Sequence, residues 1–120
     1  PFEVAARFDP GGPDDRPLVA YTGIDCGGTW SSMGNLTSNP PFYLFEEEIY
    51  QGSGGKCKGS GRVRIHPLEP CRRPKTNECG YRRLRYRFIG GGVTSTGVLT
   101  PASGDEVGRI FEEAGVGPDG

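Results

Sequence analysis

The apolar residues of this chain fall in short runs, with glycine and proline clustered between them. Short runs at intervals of about ten residues describe strands joined by turns and leave no room for long helices. Residues 2–8 alternate, placing Phe2, Val4, Ala6 and Phe8 on one side, the period of two of a half-buried strand. The stretch 9–15, Asp-Pro-Gly-Gly-Pro-Asp-Asp, is a turn by composition. Leu18 to Ile24 then returns as the second strand of a hairpin. A weaker third strand covers 27–33 and a strong fourth covers 42–50. After a loop from Gln51 to Gly61 with five glycines come strands over 62–66, 82–89 and 93–100.

The last segment changes period. Ser103 and Glu106 stand three residues apart, as a capping box requires. Val107, Ile110, Phe111 and Ala114 follow at helical spacing, and Gly115 can close the helix. The chain therefore reads as a single all-β domain over residues 1–120, with seven strands between 2 and 100 and a helix over 104–114. The expected architecture is a small antiparallel meander closing into a barrel or sandwich, with the helix covering an end.

Composition narrows the classes further. Glycine and proline make up 32 of 120 residues, enough to raise disorder as an alternative, but the ordered apolar runs argue against it. The net charge of −1 gives no global attraction to nucleic acid or membrane. No apolar run approaches the length of a membrane span. No signal-peptide pattern opens the chain, and its start at Pro1 without methionine is what a processed product or an excised segment would give.

Four cysteines, Cys26, Cys57, Cys71 and Cys79, in a domain this small point to two disulfides and an oxidising compartment. Zinc ligands usually come in pairs two to four residues apart. Here the closest pair has seven residues between, and His66 is the one histidine, so no metal is expected. Of the three connectivities, Cys26–Cys57 with Cys71–Cys79 is favoured. The second pair would close the polar loop from Pro70 to Gly80, which has no apolar residue to hold it.

The segments Tyr21-Thr22-Gly23-Ile24-Asp25-Cys26-Gly27-Gly28-Thr29-Trp30, Phe45-Glu46-Glu47-Glu48-Ile49 and Gly54-Gly55-Lys56-Cys57-Lys58-Gly59-Ser60-Gly61-Arg62-Val63 form a loose pattern. With Leu84-Arg85-Tyr86-Arg87-Phe88 and Thr94-Ser95-Thr96-Gly97-Val98-Leu99-Thr100, this pattern resembles the small β-rich extracytoplasmic domains of actinobacterial cell-surface proteins. Such domains often follow the membrane span of a serine/threonine kinase or sit in secreted proteins. The resemblance covers about residues 18–100 and implies a sensor or binding module without enzymatic activity. The recurring cysteine pair of that pattern matches Cys26 and Cys57.

Catalytic signatures are weak. Gly52 to Cys57 suggests a phosphate loop, but that motif needs glycine where Tyr50 stands and serine or threonine at Cys57. No nucleophile elbow, zinc-protease helix or dinucleotide-binding glycine pattern is present. Any base or ligand role falls on His66, which is expected to be an exposed strand residue before Pro67. Glu46, Glu47 and Glu48 offer carboxylates for glycoside chemistry, but strand alternation sends Glu46 and Glu48 to the face opposite Glu47. Asn35-Leu36-Thr37 fits a glycosylation acceptor, relevant in a eukaryotic secretory route. No cofactor is implied.

Charge distribution is the most informative feature. Residues 1–55 carry two arginines against eight acids (net −6), and residues 88–120 carry one against five (net −4). Between them, residues 56–87 carry eleven lysines or arginines against two glutamates (net +9). With Val63, Ile65, Leu84, Tyr86 and Phe88 facing inward, Arg62, Arg64, His66, Arg83, Arg85 and Arg87 face out. Glu46 and Glu48 lie beside them, enough to pair two arginines and leave three.

The expected function is a non-enzymatic, secreted or surface-tethered binding module. Its arginine face (Arg62, Arg64, Arg83, Arg85, Arg87) would hold an anionic polymer, a lipid head group or an acidic protein surface, since guanidinium matches phosphate and carboxylate bidentately. Tyr81 is the one aromatic placed for base stacking, so no specific nucleic-acid reading is expected. The alternatives are a small inhibitor or protein-binding domain acting through the loop 70–80, a barrel holding a small apolar ligand, and an enzyme built on His66.

Overall fold

The computed structural model describes residues 3–8, 16–36, 42–68, 83–90 and 93–117. Seven strands follow one another, β1 (Val4–Arg7), β2 (Leu18–Tyr21), β3 (Cys26–Leu36), β4 (Phe42–Gln51), β5 (Gly59–Pro67), β6 (Leu84–Gly90) and β7 (Val93–Leu99), before a helix, α1 (Gly104–Ala114). Each strand pairs antiparallel with the next, so spatial order equals chain order in one nearly closed, barrel-like sheet.

Alternation places the core. Val19 and Tyr21 of β2, Trp30 of β3, Val63 and Ile65 of β5 and Tyr86 of β6 are buried in one interior cluster. Tyr43, Phe45, Ile49, Leu84, Phe88 and Leu99 pack against it. A second cluster lies on the other side of the first two strands, where Ala5, Leu18 and Ala20 meet Ile110, Phe111, Ala114 and Val116. All four residues of β2 are therefore buried, because this strand has barrel on one side and helix on the other. The helix lies on the outer face of β1 and β2 rather than across an end of the barrel as expected.

Sheet curvature rests on two glycine sites. A Cβ at Gly28 would run into the Glu48 backbone, beside the register shift between Gly27 and Gly28 where β3 bends. Gly97 lies opposite Tyr86, whose ring covers the space a Cβ would fill, the aromatic-over-glycine pairing that keeps a barrel strand in register.

The disulfide Cys26–Cys57 joins the start of β3 to the loop between β4 and β5, with Cα atoms 5.2 Å apart. The same loop reaches the helix C-terminus, where the Ser53 amide donates to the Ala114 carbonyl at 2.9 Å. Gly115 ends the helix in the left-handed conformation (φ 72°). At the other end Ser103 accepts from the Glu106 amide, which is the N-cap half of the expected capping box. The Glu106 carboxylate pairs with Arg109 at 2.8 Å. The Cys71–Cys79 pair and the loop 70–80 lie outside the described residues, as does Tyr81.

The strands of the hairpin and meander stand where alternation places them. Their limits differ: β2 ends at Tyr21 rather than Ile24, β3 runs to Leu36 rather than stopping at Met33, and β5 begins at Gly59 rather than Arg62. Among the described residues no helix is long and apolar enough to cross a membrane.

Candidate functional site

Strands β4, β5 and β6 are neighbours, and their inward residues are fixed by the interior cluster. Their alternate residues must therefore face outward. Arg62, Arg64, Arg85 and Arg87 are all exposed. Register then decides how they meet. Arg64 stands directly opposite Arg87, and His66 directly opposite Arg85. Side chains so opposed have Cβ atoms about 4.5–5.5 Å apart, and like charges in that arrangement disfavour the pairing.

The anticipated neutralisation by glutamate is absent. Glu46 stands opposite Arg62 and Glu48 opposite Ser60. Yet no ion pair joins Glu46 or Glu48 to these arginines among the described residues, whereas Arg109 at the helix holds three carboxylates. Arg64 rests instead on the Phe42 ring, with its guanidinium carbon 5.2 Å from the centroid. His66 stacks on the other part of the same arrangement, its ring 5.2 Å from that of Phe42 and nearly parallel to it. The pairing of one aromatic with a guanidinium and an imidazole was not foreseen, although Phe42 and His66 both fall on the outward parity of their strands.

His66 is half-buried rather than exposed as expected. Burial lowers its pKa first, and the positive charges of Arg64, Arg85 and Arg87 lower it further. The imidazole thus senses all three arginines. Arg83 is exposed just before β6 and is not without a partner, so the unpaired charge is argued from the other four. Apolar residues border it: Ile89 opposite Arg62 and Val98 opposite Arg85, both exposed.

A second polar cluster lies inside the barrel. Glu47 is buried, and its Oε2 accepts from the Tyr21 hydroxyl and, at 2.7 Å, from the Trp30 indole N–H. Burial pushes the Glu47 carboxyl above its usual range, while the two donors oppose that rise. Burial and the neighbouring Glu47 charge also raise the Tyr21 phenol. Alternation had already separated Glu47 from Glu46 and Glu48. The signal that went unused was the interior placement it implied, within reach of two aromatic donors on β2 and β3. Both donors are satisfied by the one carboxylate oxygen, an arrangement that locks three strands together.

The other candidates resolve simply. Gly52, Gly54 and Gly55 lie in the loop held by the disulfide, whereas Gly59 and Gly61, expected in the same loop, belong to the start of β5. Among the described residues no three histidine, cysteine or acidic side chains converge as a metal site. No family model matches the chain, and no curated protein or solved structure is significantly similar to it.

Proposed function

We propose that this chain is a non-enzymatic, extracytoplasmic binding or sensor module that holds an anionic partner on the outer face of β5 and β6. The observation that carries the reading is the direct opposition of Arg64 to Arg87, flanked by Arg85 and His66, with no carboxylate paired to these arginines among the described residues. Unneutralised like charges on adjacent strands reduce stability, and an anion that bridges them reverses that cost. Arginine suits the role because its planar guanidinium grips phosphate and carboxylate with two parallel hydrogen bonds.

The partner's chemistry is that of a multivalent anion: a phosphate-bearing polymer, a lipid head group or an acidic protein surface. The exposed Ile89 and Val98 at the margin favour a partner larger than a single ion. The Cys26–Cys57 disulfide supports an oxidising compartment, and the resemblance to actinobacterial surface domains points the same way.

The test is retention of the oxidised protein on a phosphate-polymer column across a salt gradient, beside the double variant Arg64→Glu/Arg85→Glu. Wild-type retention that weakens with salt and disappears in the variant is the expected result. Equal flow-through of both forms at low salt overturns the reading.

A further inference from the structure

The sheet stops one strand short of a closed antiparallel barrel. Every consecutive pair from β1 to β7 is antiparallel. An odd number of such strands leaves the first and last pointing the same way, so β1 and β7 run parallel to each other. No ladder joins them among the described residues. Among the described residues their outer edges therefore carry backbone N–H and C=O groups without a strand partner.

A groove of about 810 Å³ is lined by β1, by Val98 and Leu99 at the end of β7, by the connection 100–103 and by α1. Val4, Ala6 and Leu99 form its inner wall, and Val107 and Ile110 of α1 overhang it. Carboxylates stand at its rim. Glu3 and Glu106 line the opening, and both share one cation, Arg109, at 2.8 Å each, with Glu113 as a third claimant at 3.1 Å. One guanidinium against three carboxylates leaves this rim negative.

We propose that the groove between β1 and β7 receives an extended peptide segment of a partner protein, which inserts as an eighth strand antiparallel to both edges. Four features favour a peptide as occupant. It alone can satisfy backbone groups on two edges at once. Antiparallel insertion continues the alternation that the odd strand count interrupts. Eight strands are the number at which a small barrel's interior is just filled by its own side chains. Finally, apolar walls below a negative rim fit apolar residues at alternate positions beside a terminal lysine or arginine. This site shares Val98 with the margin of the arginine face, whose guanidinium groups lie on the outside of β5 and β6.

The test uses a synthetic hexapeptide, acetyl-Lys-Val-Thr-Val-Thr-Val-amide, with amide hydrogen exchange of the oxidised protein followed by NMR. Exchange should slow at least about tenfold at edge amides of β1 and at the Val98–Leu99 end of β7, a change of about 1.4 kcal/mol in opening free energy. A peptide with alternate amides N-methylated should give no protection, and replacing its lysine by glutamate should weaken binding. These controls alter the probe and leave the protein's fold untouched. Protection at one edge alone, or at neither at millimolar peptide, overturns the proposal. So does equal occupancy by decanoate without amide protection, which would make the groove an apolar-ligand site. Edges already protected in a peptide-free dimer would assign the groove to a second copy and overturn it as well.

Discussion

Strands β2 and β5 both send apolar residues into the barrel, yet their outer faces differ in kind. Behind Val19 and Tyr21, β2 carries Leu18 and Ala20, sealed under α1. Behind Val63 and Ile65, β5 carries Arg62 and Arg64, left exposed beside the arginines of β6. The inner face fixes strand pairing and register, so it must be apolar in both. The outer face is under no such constraint, and it is used once to dock a helix and once to present charge. Stability and recognition therefore sit on opposite sides of the same sheet.

The largest effects are expected where the helix seals β2. Phe111 is buried against Leu18 and Ala20 in that cluster, and Arg7 covers its ring at 4.6 Å. Phe111→Ala should cost about 3–5 kcal/mol in urea unfolding. It should leave salt-dependent retention on polyanion unchanged wherever the variant is folded. A loss below about 1 kcal/mol would mean that the helix contributes little to the domain. Next comes the disulfide. Cys26→Ala/Cys57→Ala opens a crosslink spanning 31 residues and should cost about 2–4 kcal/mol. Because the loop carrying Cys57 also holds the helix C-terminus through Ser53, amide protection should fall at Ala114 and Val116 before it falls in β5. Uniform loss across the sheet would separate the disulfide from helix docking.

The contrast between the two outer faces was partly legible in the sequence. The run Leu18-Val19-Ala20-Tyr21 has no charged member, as a strand buried on both sides requires, and the helix at the chain's end carries one apolar stripe. What periodicity could not supply was where that helix lies, because its position depends on contacts far apart in sequence. On the arginine strands alternation was sufficient, since the apolar members are unambiguous. The failure to pair Glu46 with Arg62 was not legible: register brings them opposite each other, but side-chain geometry decides whether a bridge forms. Glu47 was legible in parity and was obscured by its charge, which normally argues for the surface.

Glu47 tests whether the interior behaves alike beneath both faces. Burial holds its carboxyl above the usual range in the folded chain, so the folded state keeps the proton to higher pH than the unfolded one. Stability contributed by the protonated form is complete below the unfolded pKa and declines as pH rises through the folded value. Glu47→Gln keeps a neutral acceptor for Tyr21 and Trp30 and removes the titration. The variant should therefore gain stability relative to the wild type as pH is raised from about 4 to 7, read from urea midpoints. A pH-independent difference would mean that Glu47 titrates alike in both states. On the exposed face the stability effect should be smaller and of opposite sense to a core deletion. Arg87→Gln removes a like charge facing Arg64 and should stabilise by a few tenths of a kcal/mol, about the scale of one cross-strand pair, while weakening polyanion retention.

The finest test uses His66, the one histidine in the chain. Among the described residues the groups facing it are Phe42 of β4, Arg64 of its own strand, and Arg85 and Arg87 of β6, three cations and no acid. They and its burial hold its pKa below the usual 6.5. An anion seated on the arginines adds negative charge beside the imidazole, so it must raise that pKa. Linkage then requires protonation of His66 to tighten the anion by the same factor. Retention should strengthen as pH falls below the usual imidazole value of about 6.5, and the His66 proton resonances should titrate at higher pH when polyphosphate is present. Arg85→Gln, directly across the ladder, should raise the pKa without any anion. If polyphosphate binds and the His66 titration does not move, the anion sits elsewhere on the molecule, and the arginines of β5 and β6 serve only to keep an open sheet face in water.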